Sequence, residues 1–161
     1  NPIIKVIQDN REFNYSQLNN NAVKYANGEL ICLLNNDIEV ISPKWLNEMT
    51  SHALRPEVGA VGAKLWYPNN TLQHGGVLLG IGGLACHAHK GFHKLSDGYF
   101  GRMSLISQFS AVTAACMVVK KSIFQEVGGL DEENLKVAFN DVDFCLKIKE
   151  MGYKNIWTPY A

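Results

Sequence analysis

Leu30-Ile31-Cys32-Leu33-Leu34-Asn35-Asn36-Asp37 is an apolar run that stops abruptly in amides and one carboxylate. Consecutive apolar residues suit a strand buried on both faces, the kind found in parallel sheets covered by helices. Open α/β sheets bind ligands just outside the carboxyl ends of their strands. Asn35 and Asp37 stand at that end, and alternation sends their side chains to the same side. A hard divalent cation takes such oxygen donors, with phosphate and water completing its shell. A plain polar turn uses the same residues, so the surroundings decide.

Upstream, Pro2-Ile3-Ile4-Lys5-Val6-Ile7 reads as a short β-branched strand ended by Gln8-Asp9-Asn10. From Ser16 to Ala26, the residues Leu18, Ala22, Tyr25 and Ala26 recur at helical spacing, and Gly28 is the stop. Strand, helix and the Leu30–Leu34 strand predict a βαβ unit with a right-handed crossover. Downstream, Ser42-Pro43 opens a helix with Ser as cap and Pro in the first turn. It runs through Trp45, Leu46, Met49 and Ala53 and ends before Pro56. Val58 to Leu65 is the next strand, and Tyr67-Pro68-Asn69-Asn70 a turn.

Gly75 to Gly101 is rich in glycine and histidine, with a strand around Val77 to Ile81 and no other regular pattern. Irregular segments of this length are often lids or binding loops. Ala111 to Val119 reads as a second buried strand, and Lys121 to Val127 as a helix closed by Gly128-Gly129. Asn140 to Met151 reads as a helix closed by Gly152, and Asn155 to Thr158 as a last strand. Alternating strands and helices give an α/β class.

The 161 residues fit one domain. Fifteen basic and fifteen acidic residues cancel, which removes the bulk electrostatic case for nucleic acid or an anionic membrane. No apolar stretch approaches the roughly 20 residues of a membrane span, and no signal peptide opens the chain. Cys32, Cys86, Cys116 and Cys145 form no C-x-x-C pair. Cys32, Cys116 and Cys145 lie in apolar patterns and read as buried thiols of a reducing compartment, hence a cytoplasmic protein.

On the last helix, Asp143, Lys147 and Glu150 share one polar stripe, whereas Asp141 falls beside Phe144 and Ile148. Asp141 is either an N-terminal cap or a general base against an apolar wall. His74, His87, His89 and His93 all lie in the glycine-rich segment. His87-x-His89 with Cys86 or His93 is a weak metal-ligand pattern; polar contacts to a hydroxyl-rich ligand suit it better. Gly75, Gly76, Gly82 and Gly83 make neither G-x-G-x-x-G nor a P-loop, and no G-x-S-x-G elbow is present.

Asn20…Ala26-x-Gly28-Glu29, Leu33-Leu34-Asn35-Asn36-Asp37, Gly128-Gly129-Leu130-Asp131-Glu132 and Asn140-Asp141-Val142-Asp143-Phe144-Cys145-Leu146 occur in that order. Together they resemble the inverting GT-A glycosyltransferases of family 2. His74 to Gly83 and His87-Ala88-His89-Lys90-Gly91 are similar to its bacterial rhamnosyltransferase-like, O-antigen branch. The resemblance implies that Asn35-Asn36-Asp37 takes the place of the D-x-D motif, with Asn35 and Asp37 helping to hold Mn²⁺ or Mg²⁺ on a nucleotide-sugar donor. Asn20, Asn35, Asn36 and Asp37 would bind that donor, with Asn20 also able to brace the nearby loop. Asp141 would be the base that activates an acceptor hydroxyl for inverting attack, and His87, His89 and Asn140 would meet a glycan or lipid-linked acceptor.

Asn35 and Asn140 replace acidic residues of the family pattern. The family begins with two further strands, and a His that often completes its metal site lies beyond the equivalent of Ala161. The resemblance therefore implies a partial GT-A domain, Rossmann-like and mostly parallel. Residues 1–40 would end its donor-binding half and 41–161 form its acceptor side. It also implies peripheral contact at the inner membrane face, and self-association through an exposed sheet edge. The competing reading is a non-catalytic fragment or carbohydrate-binding module that keeps the fold.

Overall fold

A computed structural model describes residues 4–81 and 83–161. Pro2, Ile3 and Gly82, which figure in the expectations above, lie outside them. The core is a mixed sheet built from β1 (Leu30–Leu34), β2 (Val58–Gly62), β7 (Ser107–Phe109), β8 (Cys116–Lys120) and β9 (Lys154–Trp157), in the order β1-β8-β2-β9-β7. β8 is antiparallel to both β1 and β2, β2 is parallel to β9, and β7 is antiparallel to β9. β1, β2 and β9 thus share one direction. The expected mostly parallel sheet is instead mixed, because β8 inserts between two of these strands and reverses both pairings.

Alternation along β8 divides the interior into two layers. Met117 and Val119 point to a layer shared with Phe124, Phe144, Cys145 and Ile148, which come from α3 (Lys121–Glu126) and α4 (Asn140–Glu150). Val23 of α1 (Tyr15–Tyr25) joins the same layer. Cys116 and Val118 point the other way, to Met49 and Ala53 of α2 (Trp45–Ala53). Both faces of β8 are therefore covered, and that strand has the double burial expected of β1.

β1 is buried on one face only. Ile31 and Leu33 pack inward, whereas Leu34 is 46% exposed and Cys32 is exposed. The expectation that Cys32 is a buried thiol fails because α2 packs over β2 and β8 and leaves the outer side of β1 open. Ile4 to Ile7 are not a strand, so the described chain holds no βαβ unit there. Ser42 does not cap α2 through its side chain; its carbonyl accepts from Trp45 N–H at 3.0 Å. The strand predicted from Ala111 begins only at Cys116, and β7 was not predicted.

The glycine-rich segment is more regular than its sequence. β3 (Leu65–Trp66) pairs with β4 (Leu72–His74), and β5 (Val77–Leu79) with β6 (Ala85–His87). Gly76, at φ 93°, packs its backbone on the ring of Phe109, where a β-carbon would collide. Val77 N–H donates to Ala111 O at 2.9 Å and ties this hairpin to the sheet. No described helix is long and apolar enough to cross a membrane.

Candidate functional site

The peptide Ala114–Ala115, just before β8, is where the candidate residues meet. Asn35 N–H donates to Ala115 O at 2.9 Å, which extends the ladder one residue past β1 and fixes the half-buried Asn35. Ala114 N–H donates to Asp141 Oδ2 at 3.2 Å, and Ala114 O accepts from the Tyr15 hydroxyl at 3.0 Å. Burial first, then the nearby Asp141 charge, pushes the Tyr15 phenol up to about 12, so it stays a donor.

α4 opens abruptly. Phe139 precedes it in the left-handed region at φ 61°, a strain of about 1–3 kcal/mol of the kind that gathers at functional sites. That turn carries Asn140 inward to 4% exposure, where its Nδ2 has no acceptor among the described residues. Asp141 is not the helix cap, since Phe139 holds that position and no side chain caps it. The capping alternative is thereby removed. Asp143 pairs with Lys147 at 2.7 Å on the polar stripe, as the helical spacing predicts.

Asn35, Thr113, Asn140 and Asp141 line one open cleft of about 250 Å³, together with Phe13, Tyr15 and Val137. Three of the expected site residues thus converge: Asn35, Asn140 and Asp141. Asn36 and Asp37 are exposed in the turn beyond Asn35 and do not line this cleft. Asn20 does not line it either. Its Oδ1 accepts from Leu130 N–H at 2.9 Å while its Nδ2 donates to Leu130 O at 2.8 Å and to Glu132 Oε2 at 3.1 Å. The side chain braces the loop that follows Gly129.

His87 is tied to His74, their Nδ1 atoms 2.7 Å apart. Burial lowers the pKa of both rings; Lys90 lowers His87 further, and Asp141 works against that. His89 turns elsewhere. At φ 55° it sits edge-on to Phe92, its pKa lowered by burial and then by Arg102 and Lys64. Among the described residues no three His, Cys, Asp or Glu side chains converge, so the His87-x-His89 metal pattern finds no third ligand. Asn35 and Asp37 offer hard oxygens and a single charge. That donor set fits Mg²⁺ or Mn²⁺ only where a ligand's own oxygens complete the shell.

Tyr15 and Thr113 were missed in the sequence, and His74 was noted there only as one of four loop histidines and the start of a family-like segment. Each acts through partners tens of residues away, and no local spacing marks them.

No protein-family model matches the chain. It is 53% identical over 158 residues to the uncharacterised protein y4gI of Sinorhizobium fredii, a match that takes in 98% of this chain and 17% of that protein. It is 41% identical over 160 residues to the O-antigen biosynthesis protein RfbC of Myxococcus xanthus, covering 97% of this chain and 12% of the relative. The chain therefore spans less than a fifth of either relative. Among solved structures it is similar to the mannosyltransferase PcManGT of Pyrobaculum calidifontis in complex with GDP-Man and Mn²⁺. There the TM-score is 0.65 at 16% identity, over 96% of this chain and 37% of the other. GalNAc-T7 with UDP, GalNAc and Mn²⁺ gives a TM-score of 0.73 at 13% identity, over 96% and 30%. The chain carries a partial GT-A glycosyltransferase fold along nearly its whole length.

Proposed function

We propose, from the GT-A fold as premise, that this chain is the middle and acceptor-side portion of an inverting nucleotide-sugar glycosyltransferase in bacterial cell-surface polysaccharide synthesis. The observation that carries this reading is the shared cleft: Asn35 at the end of β1 and Asp141 at the start of α4 face one opening. The likeness to an O-antigen biosynthesis protein supports the polysaccharide setting; the rhamnosyl or other hexosyl type is left to experiment.

Inversion in one displacement needs one base on the face opposite the leaving group. Asp141 takes that role: it accepts the acceptor hydroxyl proton as the hydroxyl oxygen bonds to the anomeric carbon. The bond from that carbon to the nucleoside diphosphate breaks, its electron pair leaving with the diphosphate. Ala114 N–H holds Oδ2 in place during the transfer. The unpartnered Asn140 Nδ2 donates to an acceptor oxygen, which satisfies a buried group otherwise left alone. Asn35 in the cleft, with Asn36 and Asp37 in the exposed turn that follows it, would receive the donor's diphosphate. A Mg²⁺ or Mn²⁺ held there by Asn35 and Asp37 would neutralise charge on that diphosphate; both fold relatives contain Mn²⁺.

The test uses the longer protein that contains this chain. D141N should lower turnover by roughly 10²–10⁴-fold while donor binding, read by calorimetry with Mn²⁺ over a panel of nucleotide sugars, is retained. Turnover unchanged in D141N removes Asp141 as the base, whereas ligand binding without any transfer favours the binding-module reading and removes the transferase one.

A further inference from the structure

His74 ends β4 with 0% exposure, and both nitrogens of its ring are engaged. Thr113 N–H donates to Nε2 at 3.3 Å. A nitrogen that accepts carries no proton, so the proton of this neutral imidazole sits on Nδ1. Nδ1–H then donates to His87 Nδ1 at 2.7 Å, which leaves the His87 proton on Nε2. The residue after Thr113 is Ala114, whose own N–H holds Asp141. Consecutive amides are thus gripped by two side chains from distant elements, and each grip limits the rotation of the peptide between them.

We propose that His74 is a positioning residue for Asp141: it orients the Thr113–Ala114 peptide that holds the carboxylate, and it fixes His87 as an Nε2–H donor. The effect on turnover rests on the reading of Asp141 as the base. The tautomers and the peptide geometry do not.

A pH dependence follows. Charging His87 puts protons on both its nitrogens, so its Nδ1 stops accepting. His74 would then have to shift its proton to Nε2, where the Thr113 N–H already points. The groups that act on His87 are His74, Lys90 and Asp141, with Lys90 opposing the added charge and Asp141 favouring it. His74 responds to His87 and to its own burial. Because burial lowers the pKa of both rings, the arrangement holds at the ordinary imidazole value and comes apart only as pH falls below it.

Ring-¹⁵N spectroscopy of the chain at about pH 8, above the free imidazole value, reads the tautomers directly. His74 is expected as Nδ1–H, the minority form of free imidazole, with a through-hydrogen-bond coupling to His87 Nδ1. Two variants separate the arms. H74N offers an amide donor near Nδ1 and nothing at Nε2, whereas H74Q offers an oxygen near Nε2 and no donor at Nδ1. H74N should keep the His87 tautomer and speed hydrogen exchange at Thr113. H74Q should protect Thr113 and raise the His87 titration midpoint. In the longer protein H74N should lower kcat, up to roughly a hundredfold for a misplaced group, and H74Q should leave it near the parent value.

His74 found as Nε2–H or charged at that pH overturns the proposal, as does an equal kcat loss in H74Q and H74N. A longer protein without sugar transfer would sink the functional reading and leave the tautomer measurement to decide this one.

Discussion

The sheet and the glycine-rich hairpins are built by different means. Around β8 every inward residue is shut away from water: Met117, Val118 and Val119 are buried, and helices cover both faces. From β5 to Leu105 most large apolar residues face outward instead, Val77 and Met103 being buried. Ile81, Leu84, Leu95, Tyr99 and Phe100 are all exposed, and the backbone passes through the left-handed region at Gly80, Gly83, Gly91, Gly98 and Gly101. One region is held by continuous burial, the other by backbone hydrogen bonds and a few buried side chains, among them His74, Val77 and Met103. The lesson is that the cleft is lined by residues from outside the hairpins, and that the lighter region reaches it through the His74–Thr113 contact.

The largest test of that contrast is Phe144→Ala. The ring is fully buried against Phe124, with centroids 5.1 Å apart, so denaturant unfolding should show a loss of about 3–5 kcal/mol. A cost as small as that of a surface change would erase the distinction. Next comes Asn20→Ala, which leaves Leu130 N–H and O without their side-chain partner. A loss of about 1–3 kcal/mol is expected, and protease nicking should appear first in the Gly129 to Glu132 loop.

Alkaline titration gives a smaller, signed effect. The Tyr15 phenol ionises at 10.0 when free and at about 12 in the fold. Its contribution is therefore complete below the lower value and drains away as pH rises towards the upper one. Tyr15→Phe should flatten the dependence of the urea midpoint on pH in that window; an unchanged slope would remove Tyr15 from the account. The smallest effect belongs to the hairpin tip. Leu84→Ser, at a side chain 62% exposed, should stay within about 0.5 kcal/mol of the parent.

Much of this contrast was legible in the sequence, and the misses have physical causes. The helices α1, α2 and α4 follow from apolar spacing, and the Asp143–Lys147 pair from helical geometry. β1 was legible as a strand but not as a one-sided one, since a run of apolar residues does not say which helix will cover it. Asn35, Asn140 and Asp141, picked out because their family motifs are local, line one cleft. The His74–His87 contact was not foreseen, because two short hairpins set it, and its residues carry no spacing signal of their own. Asp37 was expected beside Asn35 on alternation and on the D-x-D resemblance, but the strand ends at Leu34 and Asp37 is exposed in the turn, outside the cleft lining.

Two glycines in β2 have a mechanical consequence. At Gly59 a β-carbon would overlap Ile148 of α4, and at Gly62 it would overlap Val112, next to Thr113. The helix bearing the carboxylate and the loop that grips it therefore both bed directly on the peptide frame of one strand, with no compliant layer of side chains between. Asp141 lies about two helical turns from Ile148 and inherits the stiffness of that bedplate. Breathing of the cleft is left to its opposite rim, Phe13 and Val137 on irregular chain, so a bulky ligand would enter by bending the rim while the Asp141 carboxylate stays still.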